Sequence, residues 1–352
     1  MLVLGIESSC DETAAALVLS DGTVLADVVH SQIDIHRVHG GVVPELAARD
    51  HERNIEHVVR ETFVRAGVGW EAVDAIAVTA RPGLVGALLV GVEFAKGLSL
   101  GTGKPLLGVD HLVGHLLSIF VKRDGEAALG NDVYPYVALL VSGGHTSIFR
   151  VNGPLPEQIT ELGGTRDDAA GEAYDKVGKL LGLGYPGGPV VDRYAAFGDP
   201  SRFPLETPMG SLETLEFSFS GIKTQVAHLV ERQKRELSEE EKQHLCASFQ
   251  TTVVEVLVRK LFEAARREGV NTVVLGGGVA ANSALRASVL AQAKERGLRA
   301  VVPPFSNCTD NAAMIAYVGA QWAERGRKDD LSLQPTSKTI LERTTRKGRG
   351  DR

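Results

Sequence analysis

Two histidines set four residues apart, His111 and His115 in the string DHLVGHLL, have the type and spacing to do chemistry. On a helix that spacing stacks both imidazoles on one face, near enough to bind a single metal ion. Two histidines at a helix start also serve as caps or surface filling, and the spacing by itself leaves both readings open. A third ligand comes from the polar knot SNCTDN at 306–311. It lies between an apolar strand at 300–303 and a helical run at 312–322, which sets Asp310 at a helix start. Two imidazoles and one carboxylate with open positions suit zinc or iron(II). Cys308 is soft enough to ligate, but its closeness to Asp310 fits a buried filler better. A gluzincin-type zinc protease needs a glutamate directly after the first histidine as general base, and Leu112 stands there instead.

Three polar turns that follow apolar strands form a second set. Residues 136–150, YVALLVSGGHTSIFR, read as a buried strand, a glycine turn and a returning strand. Gly143 and Gly144 can take positive φ and have no Cβ, so a ligand can come up against bare backbone N–H groups there, with Ser142, His145 and Thr146 as further donors. A plain hairpin in a sheet core would carry the same string. The N-terminal residues repeat the shape, with Glu7-Ser8-Ser9-Cys10-Asp11-Glu12-Thr13 in the turn. A third turn, GGGVAAN at 276–282, follows a strand and opens a helix, where free amides and the helix dipole favour phosphate. Together the turns point to a nucleotide cleft. Two strand-turn-strand units about 135 residues apart imply two related domains, each presenting a hairpin to that cleft.

Composition says what kind of elements must hold these residues. The chain's 352 residues exceed one ordinary core, so two α/β domains are expected. Thirty-eight basic and 44 acidic residues give a net charge of -6, which argues against a protein gripping nucleic acid by bulk charge alone; a local basic face stays open. Cys10, Cys246 and Cys308 are odd in number and far apart, offer no disulfide framework and fit a reducing cytoplasm. The N-terminus lacks the basic start of a signal peptide. The most apolar helix, 84–100, carries Glu93 and Lys96 and is read as falling short of a membrane span.

In chain order, Asp21-Gly22 closes the first hairpin onto a third strand at 23–26. A helix is expected from Pro44 or Glu45 to about residue 66, with proline in its first turn. The loop before it, with His36, Arg37, His39, Gly40 and Gly41, reads as a solvated connection, or else as a contact for an anionic partner. A strand at 74–79, a helix at 85–100 and a strand at 104–109 follow. The last feeds into His111 at a strand end, where open α/β sheets place ligands. Residues 161–183 are read as one helix, with Asp167 or Asp168 near its N-cap and Asp175 inside it. The bend GYPGGP leads into a further helix carrying Asp192. Asp175 and Asp192 have the chemistry to accept from ribose hydroxyls, and Gly188 to admit a ligand closely; as surface and turn residues they need no ligand at all. FSFSGIKT at 217–224 reads as a polar turn with Lys223, followed by a charged link. Ser238 and Glu241 make a capping box that opens a long helix to about residue 267. The basic stretch 327–352 is read as a disordered tail.

Taken in order, GIESSCDETAAALV, GGVVPELAARDH, RPGLVGALLVG, DHLVGHL, ALLVSGGHT, DDAAGEAYDKVGKLLGLGYPGGP, FSFSGIKT, GGGVAANSALR and CTDNAAMIAY resemble the bacterial TsaD family, also called Gcp or YgjD, over residues 2–323. Arg81 stands where members usually show glycine. The resemblance implies a two-domain actin-like ATPase (ASKHA) fold, each domain a mixed sheet flanked by helices, with the active-site cleft between them. Domain 1–128 would carry His111 and His115, and domain 129–326 the nucleotide loops, its closing helix able to pack back on the first. It also implies one divalent metal, Fe(2+) or Zn(2+), on His111, His115 and Asp310. A nucleotide-like substrate would lie on Leu140, Val141, Ser142, Gly143, Gly144, Asp175, Gly188, Asp192 and Asn282. The implied reaction moves threonylcarbamoyl from threonylcarbamoyl-adenylate to the N6 amine of adenosine 37 in tRNAs reading codons that begin with adenine. Asp11 or Glu12, at the facing hairpin, is the candidate to receive the amine proton. Implied partners are tRNA, a TsaC-type synthase that supplies the adenylate, a TsaB-like paralogue and a TsaE-like ATPase, all in the cytoplasm and with no membrane. An actin-fold small-molecule kinase and an ATP-binding scaffold stand as alternatives, with a metalloprotease behind both.

Overall fold

The computed structural model describes residues 1–123 and 129–343. Its contacts divide the chain into two units: Met1–Asp132 with Pro154–Pro156 and Pro304–Ile340, and Val133–Gly153 with Glu157–Pro303 and Leu341–Arg352.

In the first unit, β1 (Leu2–Glu7) and β2 (Glu12–Leu19) form the expected hairpin, and β3 (Val24–Ser31) continues it well past the expected 23–26. A short helix, α1 (Ile33–Arg37), precedes α2 (Pro44–Ala66), which starts on proline and stops at Gly67 in the left-handed conformation. Next come β4 (Ala75–Arg81), α3 (Val85–Thr102), β5 (Leu106–Asp110) and α4 (His111–Leu117). The sheet order is β3-β2-β1-β4-β5, with β1, β4 and β5 parallel and the hairpin pairs antiparallel. Arg81 lies where the β4–β5 register shifts. Alternation along β1 sends Leu2, Leu4 and Ile6 into a core with Ile55, Val58 and Val59 of α2 and Val92 and Ala95 of α3.

The second unit repeats the plan. β6 (Tyr136–Val141), β7 (Thr146–Val151) and β8 (Ile159–Gly164) lead to α5 (Ala170–Leu180) and α6 (Gly187–Ala195). Then follow α7 (Ser220–Gln233), α8 (Glu239–Glu268), β9 (Thr272–Gly276), α9 (Ser283–Arg296) and β10 (Arg299–Val301). Its sheet runs β10-β9-β6-β7-β8, the same order and directions as in the first unit, with a short strand at 342–343 added beside β8. The capping box is present: Ser238 Oγ accepts from the Glu241 amide, and Glu241 accepts from the Ser238 amide.

The last long helix, α10 (Ala312–Ala323), returns to the first unit and lies on the face of its sheet opposite α2 and α3. The approach is so close that a Cβ on Gly5 would stand 2.3 Å from the Ala312 carbonyl, and one on Gly319 would stand 2.4 Å from the Ala77 Cβ. Glycine at both crossings lets the helix lie on the strands.

Four expectations need correction. Residues 161–183 are not one helix: 159–164 pair with β7 as a strand, because Ile159 and Glu161 alternate inward and Gly163-Gly164 disfavour helix. The polar turn and charged link after residue 217 contain α7, anchored by buried Ile222 and Val226. The second unit does not run to 326, the closing helix packing back on the first as allowed for, and residues 327–340 are not a loose tail: 304–340 belong to the first unit, where Leu333 is buried and Asp329 accepts from the Gly108 amide at 2.8 Å. Residues 124–128 and 344–352, which include the expected first boundary, lie outside the described residues. Finally, α3 is long and apolar enough to cross a membrane by length and composition; here it packs against β4 and α2, burying Leu88 and Val92.

Candidate functional site

Asp110 ends β5 and caps α4 by accepting from the Leu112 amide at 2.9 Å, which fixes where the short helix begins. His111 and His115 therefore project from one face, with ring centroids 4.6 Å apart and planes nearly perpendicular. α10 crosses α4 at Gly114, where a Cβ would meet Ile315 and Met314 side-chain atoms at 3.0 and 3.1 Å. That crossing brings Asp310, just ahead of α10, onto the histidines. Asp310 Oδ1 is 3.0 Å from His115 Nε2 and 3.4 Å from His111 Nε2.

The three ligand atoms lie within 4.8 Å of one another. Metal bonds of about 2.1 Å at tetrahedral angles separate neighbouring ligand atoms by about 3.4 Å, which the two Asp310–histidine distances approach, so small side-chain adjustments would let the three residues hold a divalent ion. Both histidines are buried while Asp310 keeps 22% of its side-chain surface, which leaves one side open. Burial opposes charge on Asp310 and His111, yet attraction between opposite charges outweighs it. His111 and His115 hold the Asp310 carboxyl well below its ordinary value, and Asp310 and Glu7 raise the His111 imidazole well above its own. Cys308 is buried outside this cluster, with its Sγ donating to the Pro304 carbonyl at 3.4 Å.

Asp11 and Glu12 sit at the β1–β2 turn and the start of β2. Glu12 Oε1 accepts from Ser31 Oγ at 3.3 Å. Burial first, then the charges of Asp11 and Asp310, push the Glu12 carboxyl well above its ordinary value. His51 of α2 pins this turn: its Nε2 donates to the Cys10 carbonyl at 3.0 Å and its Nδ1 meets Thr13 Oγ1 at 2.7 Å. Burial lowers its pKa, which keeps the ring neutral and suited to one donor and one acceptor role.

In the second unit, Leu140 and Val141 end β6 and Ser142-Gly143-Gly144 form the turn. The Ser142 amide donates to the His145 carbonyl at 2.7 Å, and the His145 amide to Ser142 Oγ at 3.1 Å. Gly143 and Gly144 do not use their freedom for positive φ; the turn closes through Ser142. What sets these glycines apart is space, since a Cβ on Gly143, Gly144 or Gly188 would meet no atom within 4 Å. Positive φ falls on Gly277, at +83°, where a Cβ would stand 2.5 Å from the Val141 carbonyl.

Asp175 Oδ1 accepts from the Gly187 amide at 2.7 Å and so holds the bend before Gly188. Asp192 accepts from Ser283 Oγ at 2.8 Å and Gln250 Nε2 at 3.0 Å. Asn282 caps α9 through the Leu285 amide at 2.9 Å and donates to Gln250 Oε1 at 2.8 Å. Asp192 and Asn282 are thus joined to each other, and Gln250, which sequence reading missed, links them. The sole sequence signal for it is a polar residue on the inward face of α8.

A family profile described as "TsaD: tRNA N6-adenosine threonylcarbamoyltransferase" matches residues 23–317. Among curated relatives, a tRNA N6-adenosine threonylcarbamoyltransferase from Sorangium cellulosum is 58% identical over 100% of both chains. One of the same name from Thermosipho africanus is 48% identical over 95% of this chain and 98% of its own. Among solved structures, component A of an Acidaminococcus fermentans (R)-2-hydroxyglutaryl-CoA dehydratase superposes with a TM-score of 0.51 at 14% identity, over 91% of this chain and 99% of that one. Full-length HypF in its phosphate- and nucleotide-bound form gives 0.55 at 13% identity, over 91% and 46%. These two likenesses speak to the fold, which is the two-domain actin-like ATPase fold.

Proposed function

The chain belongs to the tRNA N6-adenosine threonylcarbamoyltransferase family, and from that membership we infer that it transfers a threonylcarbamoyl group to the N6 amine of adenosine 37 in tRNAs reading codons that begin with adenine. The observation that carries the site is the convergence of His111, His115 and Asp310 at 3.0 and 3.4 Å. The donor is threonylcarbamoyl-adenylate, a mixed anhydride. The amine nitrogen bonds to the carbamoyl carbon, the bond from that carbon to the phosphate oxygen breaks, AMP leaves, and the amine gives up a proton.

An activated donor asks the protein chiefly for orientation and charge stabilisation. His111, His115 and Asp310 would hold the divalent metal, Fe(2+) or Zn(2+), which supplies Lewis-acid polarisation to a bound oxygen. The Leu140–Gly144 turn and Gly188 leave open space against bare backbone for the adenylate, with Asp175, Asp192 and Asn282 setting the walls. At the first hairpin, Glu12 is the candidate proton acceptor, since burial raises its affinity for a proton. Glu12→Gln should therefore lower kcat and flatten the rise of rate with pH while leaving AMP affinity unchanged.

The tRNA substrate implies a cytoplasmic enzyme. A TsaB-like paralogue is proposed to pack on the first unit's helices, where α3 leaves Val85, Leu89 and Leu100 exposed. A TsaE-like ATPase and a TsaC-type synthase complete the set. The test is reconstitution with synthetic threonylcarbamoyl-adenylate, unmodified tRNA and both partner proteins, read by mass spectrometry of the digested nucleosides. Threonylcarbamoyladenosine should appear at adenosine 37; its absence would refute the transferase reading.

A further inference from the structure

Glu7 closes β1 in the middle strand of the first sheet, and none of its surface is exposed. A carboxylate at such a position is costly unless both oxygens find donors and its charge finds a partner. Glu7 has both. Its Oε1 accepts from the Ser9 amide at 2.6 Å, and its Oε2 accepts from Thr79 Oγ1 at 2.7 Å and meets His111 Nδ1 at 3.0 Å. Ser9 Oγ lies near the same ring nitrogen, at 3.3 Å. Its ion-pair partner among the described residues is His111. On the other side of that ring, Nε2 faces Asp310. The imidazole thus stands between two carboxylates, one partly open to solvent and one sealed in the sheet.

We propose that Glu7 is a positioning residue for the metal centre: it holds the proton of His111 on Nδ1 and thereby presents Nε2 as the ligating nitrogen. The proposal rests on the reading of His111, His115 and Asp310 as metal ligands. A buried carboxylate behind a ligating histidine fixes the ring's tautomer and plane and makes the free nitrogen a better donor. Thr79 and the Ser9 amide hold the carboxylate in turn, so β4 and the first hairpin both bear on the ring. His115 lacks such support, since its Nδ1 is buried with no hydrogen-bond partner. The two histidines are therefore unequal, and the orienting load falls on His111.

The test measures zinc affinity of the full chain by chelator competition in wild type, Glu7→Gln, Glu7→Asp and His111→Ala. Gln keeps the shape, but its amide offers one acceptor atom where three donors converge. Glu7→Gln should weaken zinc by about 10- to 100-fold, with Glu7→Asp, which keeps the charge one methylene further back, falling between. Affinity within twofold of wild type in Glu7→Gln, alongside loss in His111→Ala, would overturn the proposal and leave the ligand reading standing. Undiminished binding in His111→Ala would remove both. If Glu7→Gln fails to fold, long-range proton–nitrogen spectra of the zinc-loaded wild type decide. A protonated Nδ1 on His111 is the expected result, and an unprotonated one refutes the proposal.

Discussion

Gly187 and Gly188 are neighbours with opposite constraints. A Cβ on Gly187 would stand 2.5 Å from the Tyr174 carbonyl, whereas one on Gly188 would meet nothing within 4 Å. Gly188→Val should therefore keep the fold and fill open space at the proposed adenylate position. Calorimetry should show AMP affinity reduced at least about tenfold, the loss of roughly 1.4 kcal/mol, while wild-type affinity would take Gly188 out of the site. Lys260 makes a different prediction. It is fully buried on α8, with its ammonium on the Glu216 carbonyl and 5.3 Å from the Phe217 ring centroid. Burial lowers its pKa from 10.5 to about 8. Across that window the unfolded chain holds the extra proton, so this group makes the fold gain stability as pH rises from 8 to 10.5. Lys260→Met should then unfold at higher urea than wild type at pH 7, by on the order of 1–3 kcal/mol, with the advantage shrinking at pH 10. At this scale the sequence exposed His111 and His115 because helical spacing alone puts them on one face. Glu7 and Gln250 were hidden because their partners lie on other elements, joined only once the sheet and helices pack.

Elements with local punctuation were legible: Pro44 at the start of α2, the Ser238 capping box, and Asp21-Gly22 between β2 and β3. Elements fixed by distant partners were not. β8 is a strand because β7 offers it a ladder, and its own Glu161-Leu162-Gly163-Gly164 carries little β signal. The segment after α10 misled for the same reason, being polar in composition yet tied down at a few points. Leu333 fills the space above Gly108, and Thr339 Oγ1 and the Ile340 amide both donate to Asp110 Oδ2, at 2.7 and 3.0 Å. The strap thus holds the residue that caps α4. Leu333→Ala should cost about 2–4 kcal/mol in urea unfolding, and removal of residues 327–352 should lower the melting temperature and weaken zinc together. A truncated chain with unchanged melting would show the strap to be ornamental.

Both units repeat one strand order, yet their side chains differ, with the His111, His115 and Asp310 cluster in the first and open glycine turns in the second. The chain's net charge of -6 gives little counterion-release driving force for tRNA. Transfer by the purified chain alone should accordingly be slow. The TsaB-like and TsaE-like partners together should raise multiple-turnover rates by at least about tenfold, a 1.4 kcal/mol effect on the barrier. Full-rate turnover without them would refute the partner requirement. The placement of α10 also sets an order of events during synthesis. Asp310 follows its partner His115 by 195 positions. At ribosomal speeds of about 5–20 residues per second, His111 and His115 wait roughly 10–40 s for their third ligand. Through that interval the strand face later covered by α10 is bare. A metal held by all three of these residues would therefore be a late checkpoint, since its ligand set is complete only after nearly the whole chain has been translated.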